Sequence, residues 1–147
     1  MTILEVNNSK LINQFHKIPF NIYKNDKNWI PHIKQEVEKV FDKKKNKYFR
    51  HGEAIRWVLK DESGIFIGRI AAFINHKIAK TENQPTGGIG FFECQKNNDG
   101  ATKMFDTAKA WLESKGMEAM DGPINFGEKD KYWGLLVDGF DKAPIYG

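Results

Sequence analysis

The sequence predicts an α/β domain of the α+β kind, a mixed sheet with the element order β-α-α-β-β-β-α-β-α. Three observations predict it. Two apolar stripes at helical spacing fill the N-terminal third, three strand-like runs separated by turn residues follow, and a helix-period segment then lies between two strand candidates. Such a strand-helix-strand crossover makes its two strands parallel, while the hairpin strands before it are antiparallel. With 147 residues, 40% apolar and 13% aromatic, the chain has material for one core, so a single domain over residues 1–147 is expected.

The elements are justified in order. Residues 2–6 (TILEV) form a short strand candidate. Leu11, Phe15, Ile18 and Ile22 recur at spacings of 4, 3 and 4 and put one apolar face on a helix, which Pro19 kinks or divides. Pro31 suits a helix start, and Ile33, Val37, Val40 and Phe41 continue on one side to about Lys44. In EAIRWVLK, Ile55, Trp57 and Leu59 alternate with Ala54, Arg56 and Val58. The turn-forming DESG and the nearly continuous apolar GIFIGRIAAFIN complete a hairpin whose second strand is central. HKIAKTENQPTG has turn residues and no apolar period, and GGIGFFECQ is the next strand. Met104, Phe105, Ala108, Trp111 and Leu112 share a helix face that ends at Lys115-Gly116, with Gly116 as C-cap. MEAMDGPIN is a further strand, and Trp133, Leu135, Leu136 and Val137 are expected to form a short helix or turn.

Charge and cysteine usage narrow the function classes. The net charge of +4 is uneven, with eleven basic and five acidic groups in the first 51 residues against twelve and fourteen in the rest. The run Lys43, Lys44, Lys45, Lys47 and Arg50 follows the second helical stripe. It reads as a solvated helix end whose cations suit the C-terminal dipole, with attraction of an anion as the sharper alternative. Twenty of the 23 basic residues are Lys, which disfavours nucleic-acid recognition through bidentate Arg contacts. No apolar run is long enough to span a membrane and no leader pattern opens the chain, so a cytoplasmic location is expected. Cys94 alone makes neither an internal disulfide nor a zinc site, and on a strand it reads as a small core residue. His51 and His76 share no metal-ligand spacing, and His16 and His32 read as surface or satisfied residues, so no metal is expected.

In a mixed sheet of this kind ligands bind where strands diverge at their carboxyl ends and a helix N-terminus points outward, here residues 93–102. The residues around that place, GRIAAFIN, GFFECQ, ATKMFDTAKAWLESKG and DGPINFGEKDKYWGLLVDGFDKAP, resemble the GNAT superfamily of acyl-CoA-dependent N-acyltransferases, and in particular the N-terminal part of larger bacterial GNAT-like proteins. The resemblance covers most of the chain from about Phe15.

The resemblance implies an acyl donor, acetyl-CoA, whose pantetheine arm lies along exposed strand backbone at Phe92, Glu93 and Cys94. Its pyrophosphate would rest on a loop carried over to Lys96, Asn97, Asn98, Asp99, Gly100, Ala101 and Thr102, with Asn125 also facing the cofactor. Asp99 stands where the superfamily's motif has glycine, and reads independently as a helix N-cap. Glu93 is implied as the base for the attacking amine, and Tyr132 is the nearest tyrosine for the acid that protonates the leaving thiolate. The acceptor would be a small-molecule amine or a protein amine. The pattern also implies that the domain is incomplete at its C-terminus, without the superfamily's strands 6 and 7. That would leave the fifth strand as an open edge through which a homodimer could form. A non-catalytic GNAT-like binding or assembly module is the alternative reading of the same features.

Overall fold

The structure is a computed structural model. It describes residues 1–29, 31, 33–76, 84–95, 97–122 and the backbone of 135–137. The hairpin at its centre follows directly from the sequence. Strands β2 (Gly52–Lys60) and β3 (Phe66–Asn75) are joined by a turn in which Asp61 Oδ1 accepts from the amides of Ser63 and Ile65, each at 2.9 Å. The aspartate satisfies two loop amides with its side chain while its own amide bonds the Ile65 carbonyl at 2.8 Å, which closes the hairpin. β4 (Thr86–Cys94) pairs antiparallel with β3, and β1 (Thr2–Glu5) pairs antiparallel with β2. β5 (Ala119–Gly122) runs parallel to β4, as the crossover requires.

The six strands lie in sequence order, β1-β2-β3-β4-β5-β6. β6 is a correction, because Leu135–Val137, expected as a helix or turn, is a strand paired antiparallel to β5. β5 is therefore not an open edge. A three-residue apolar run has no period that separates strand from helix.

Helix α1 (Ser9–Ile22) is capped by Asn8, whose Oδ1 accepts from the Leu11 amide at 2.9 Å. It runs through Pro19 without dividing. α2 (Lys34–Phe41) is shorter than the stripe suggests, because Asp42 turns extended and takes the amides of Lys44 and Lys45 on its own carboxylate. A 3-10 turn, Lys47–Arg50, follows. α3 (Asn98–Ser114) ends in the expected way: Gly116 takes φ +88°, its amide bonds the Glu113 carbonyl, and the Met117 amide bonds that of Leu112.

Alternation along the strands sends side chains to two faces. Against α3 pack Trp57, Leu59, Ile70, Ala72, Ile74 and Ile89, meeting Met104, Ala108, Leu112 and Met117. Against α1 and α2 lie Val58, Ala71 and Phe73, meeting Leu11, Phe15, Ile18 and Val37. No helix among the described residues is long and apolar enough to cross a membrane.

Candidate functional site

The site is shaped by the way β4 leaves its neighbours. β5 pairs with it only over Thr86, Gly87 and Gly88, so among the described residues the backbone of 89–94 has β3 on one side and no strand on the other. At the same place β4 bulges. Ala71 faces Gly90 and Arg69 faces Glu93, so two residues of β4, Phe91 and Phe92, stand opposite Ile70 alone. Phe91 is held at φ +53°, where a side-chain-bearing residue costs roughly 1–3 kcal/mol. Its ring lies 5.5–6.2 Å from those of Phe41, Phe15 and Phe73, and this packing offsets the strain.

The bulge decides which face receives Glu93. Regular alternation from Ile89, on the α3 face, would put residue 93 on that face as well; the extra residue inverts the phase and delivers it to the α1 side. There Glu93 Oε2 accepts a hydrogen bond from the Tyr23 hydroxyl at 2.6 Å. Tyr23, the residue that ends α1, stacks on Trp29 with ring centroids 5.3 Å apart, and Trp29 meets Phe20 edge to face.

Arg69, the cross-strand neighbour of Glu93, is only 5% exposed. Its position has a cause in the sequence of α1. Pro19 has no amide to give the carbonyl four residues earlier, and that carbonyl, on Phe15, accepts from Arg69 Nη1 at 2.9 Å. The guanidinium carbon sits 4.6 Å from the centre of the Phe15 ring and 5.7 Å from that of Phe91. Burial lowers its pKa to about 10, against the pull of Glu93's charge, which leaves it cationic at neutral pH. Tyr23 moves the other way. Its hydrogen bond to Glu93, then burial and the charge of Glu93, push it up to about 12.

A second ionic group braces the same face. Glu38 on α2 accepts from both arms of Arg56, with Nη2 to Oε1 at 2.8 Å, and pairs with His16 Nε2 at 2.7 Å. Burial would raise the Glu38 carboxyl, but the bonds from Arg56 and His16 outweigh it and hold the group at about 2. His16 is thus a satisfied buried histidine.

At the other rim stands the N-terminus of α3. Its cap is Asn97, whose Oδ1 accepts from the Gly100 amide at 2.9 Å. The expectation that Asp99 caps the helix is corrected: Asp99 lies exposed in the first turn, where its charge still suits the helix dipole. Gly100 has a packing reason to be glycine, since a Cβ there would come within 2.8 Å of Leu59 Cδ2. Asn98 and Thr102 are exposed and Ala101 is half-buried.

Phe92 and Cys94 turn into the α3 core, Phe92 against Phe105 at 4.6 Å, so they offer a ligand their backbone rather than their side chains. Burial raises the Cys94 thiol, which argues against a ready nucleophile. Lys96, Asn125, Tyr132 and His32 lie outside the described residues. Lys43 and Arg50, from the basic run, line a separate groove of about 480 Å³ at the start of β2 together with Glu5 and Glu53. Among the described residues no group of three or more His, Cys, Asp or Glu could hold a metal ion.

Tyr23 and Arg69 escaped the sequence reading. Arg69 had a signal, a lone cation in the apolar run GIFIGRIAAFIN, which could have been matched to the carbonyl freed by Pro19. Tyr23 had none.

Comparison with known proteins agrees with this architecture. No profile of a known protein family matches the chain. Protein YghO of Escherichia coli (strain K12) is 30% identical over 137 residues, 93% of this chain and 34% of that protein. The bacterial ceramide synthase of Caulobacter vibrioides is 27% identical over 146 residues, 99% of this chain and 38% of that protein. The chain thus spans about a third of the length of these curated relatives. A GNAT-family acetyltransferase from Staphylococcus aureus Mu50 superposes with a TM-score of 0.54 at 15% identity, covering 84% of this chain and 72% of that one. A Pyrococcus furiosus protein assigned as an acetyl transferase gives 0.51 at 14% identity, covering 87% and 85%. The mixed sheet, its crossover helix and these neighbours together identify the fold of the chain as that of the GNAT acetyltransferases.

Proposed function

We propose that the chain carries the acyl-donor half and the base of an acyl-CoA-dependent N-acyltransferase, with acetyl-CoA as the first donor to test. The observation that carries this reading is the bulge, which places the Glu93 carboxylate beside a stretch of β4 backbone freed from β5. Backbone of 89–94 would bind the amide groups of the pantetheine arm as an added strand does, and the first-turn amides of α3 would receive the pyrophosphate. A neutral amine nitrogen attacks the thioester carbonyl, its surplus proton passes to Glu93, and the carbon–sulfur bond breaks. The thiolate leaves as CoA thiol after taking a proton, for which Tyr132 is the proposed donor. The balance is acyl-CoA plus amine to amide plus CoA.

Two observations support an acceptor with an apolar body. Phe20, Trp29 and Tyr23 form an aromatic rim next to Glu93, with Phe20 43% exposed. One relative is named a ceramide synthase, and a ceramide is an amide of a fatty acid with a long-chain amine.

Asp99 favours a second reading, a GNAT-like binding or assembly module without turnover. A carboxylate at contact distance from a pyrophosphate is repelled by about 1–4 kcal/mol in a surface-like medium. Thiol release from acetyl-CoA and from long-chain acyl-CoA, offered with a polar amine and with a long-chain amino alcohol, separates the two. Release above background with any pair supports the enzyme. A rise in melting temperature with acyl-CoA and no release supports the module.

A further inference from the structure

The contact between Tyr23 and Glu93 joins residues seventy positions apart. Tyr23's ring is held independently. Its backbone amide bonds the Pro19 carbonyl at 2.9 Å, and the Asp26 amide bonds the Tyr23 carbonyl at 2.9 Å. The Asp26 turn folds Trp29 back onto the ring. The hydroxyl is thus aimed by a built frame of proline, turn and stacked indole, and it ends on one oxygen of one carboxylate. Among the described residues, Oε1 of Glu93 has no hydrogen-bond partner. Arg69, the cross-strand neighbour of Glu93, is held by the Phe15 carbonyl, and its Nε is buried without a partner among the described residues.

We infer that Tyr23 is a positioning residue for Glu93: by donating to Oε2 it fixes the carboxylate at the mouth of β4 and leaves Oε1 as the oxygen that takes the proton from the acceptor amine. This rests on the reading of Glu93 as the base. A free glutamate would rotate among several rotamers, and a charge-assisted bond from a locked donor removes that freedom before substrate arrives. Arg69, on the neighbouring strand and fixed by the Phe15 carbonyl, supplies a positive charge that attracts the carboxylate. Because the Tyr23 phenol is pushed up to about 12, it keeps its proton throughout the working range and stays a donor. The groups facing the phenol are Glu93, Arg69 and Asp26.

Tyr23→Phe is the test, because phenylalanine keeps the stack on Trp29 and loses only the hydroxyl. Relative to wild type, kcat is expected to fall about 10- to 100-fold, the range for losing a hydrogen bond to a charged group. KM for acyl-CoA is expected to change less than about twofold, since in this reading the donor is held by β4 and α3. Tyr23→Phe on a Glu93→Gln background should add little, because the two act as one unit. Phenolate absorbance gives a readout free of turnover. The Tyr23 component, obtained as wild type minus Tyr23→Phe, should ionise near pH 12 and move down in Glu93→Gln. Wild-type kcat in Tyr23→Phe overturns the inference alone. Absence of turnover by the wild-type chain with every donor and amine overturns the reading of the site and this inference with it.

Discussion

The two faces of the sheet are made from the same strands and are built by different physics. On the α3 face every buried member of the cluster is apolar, from Trp57 and Leu59 through Met104 and Leu112 to Met120. On the α1–α2 face the buried set includes His16, Arg56 and Arg69, which are all of the buried polar residues among those described. Two guanidinium groups flank Phe15 there, at 4.9 and 4.6 Å from its ring centre. Burying unpaired charge costs several kcal/mol, so a face that accepts it must hold each charge with partners. Glu38 answers Arg56, and the Phe15 carbonyl and the charge of Glu93 answer Arg69. The difference teaches where chemistry can sit: the α3 face secures the fold, and the α1–α2 face orders the ionisable groups, among them the proposed base Glu93.

Perturbing each face in turn tests that division. Glu93→Gln is expected to lower turnover by about 100- to 10,000-fold, the usual contribution of a general base, and to lower the melting temperature as well, because buried Arg69 loses the charge that answers it. Steady-state rates and a thermal melt on one sample check both halves. Truncations come next. Phe15→Ala should cost about 3–5 kcal/mol and Leu112→Ala about 2–5 kcal/mol. Only the first should lower kcat in the fraction that remains folded, because only Phe15 touches Arg69; urea titration with parallel assays resolves the two.

Glu38→Gln should destabilise by about 3–5 kcal/mol at neutral pH, since it leaves Arg56 buried without its counter-charge. It should also change the acid limb. A carboxyl that ionises near 2 when folded and near 4.5 when unfolded contributes stability that is fully present above 4.5 and is lost as pH falls through about 2. The slope of stability against pH in that window should therefore flatten in the variant. The smallest effects lie at the α3 rim. Asn97→Ala should cost about 1 kcal/mol through the lost cap. Asp99→Asn should cost about 0.3–1 kcal/mol while tightening acyl-CoA, and calorimetric titration that shows weaker binding instead would remove the anion site from this helix.

What could be read in advance follows the same division. The β2–β3 hairpin was legible because Asp61 and Gly64 mark a turn and Ile55, Trp57 and Leu59 alternate around it. α3 was legible because its apolar stripe faces one uniform partner. The bulge at Phe91 was not, because nothing local asks a phenylalanine for φ +53°; three other rings impose it from α1, α2 and β3. The place of Glu93 near the end of a strand is legible in GFFECQ, yet which face it occupies depends on that bulge. The cap shows a finer limit. Asn97 and Asp99 are both capable caps two residues apart, and the close fit of Gly100 on Leu59 fixes where the first turn must lie.

The pairing of β1 with β2 has a consequence for how the molecule comes together in time. Asp61 and the residues after it join β2 to β3 in one tight turn, whereas Glu5 meets Trp57 only after roughly fifty intervening residues that contain α1 and α2. The hairpin can zip before that long loop closes, and the loop is the one that carries Phe15, Pro19 and Tyr23. Amide hydrogens of β1 should therefore exchange ahead of those of β3, and the face that orders Glu93 should be the last part of the domain to form and the first to open.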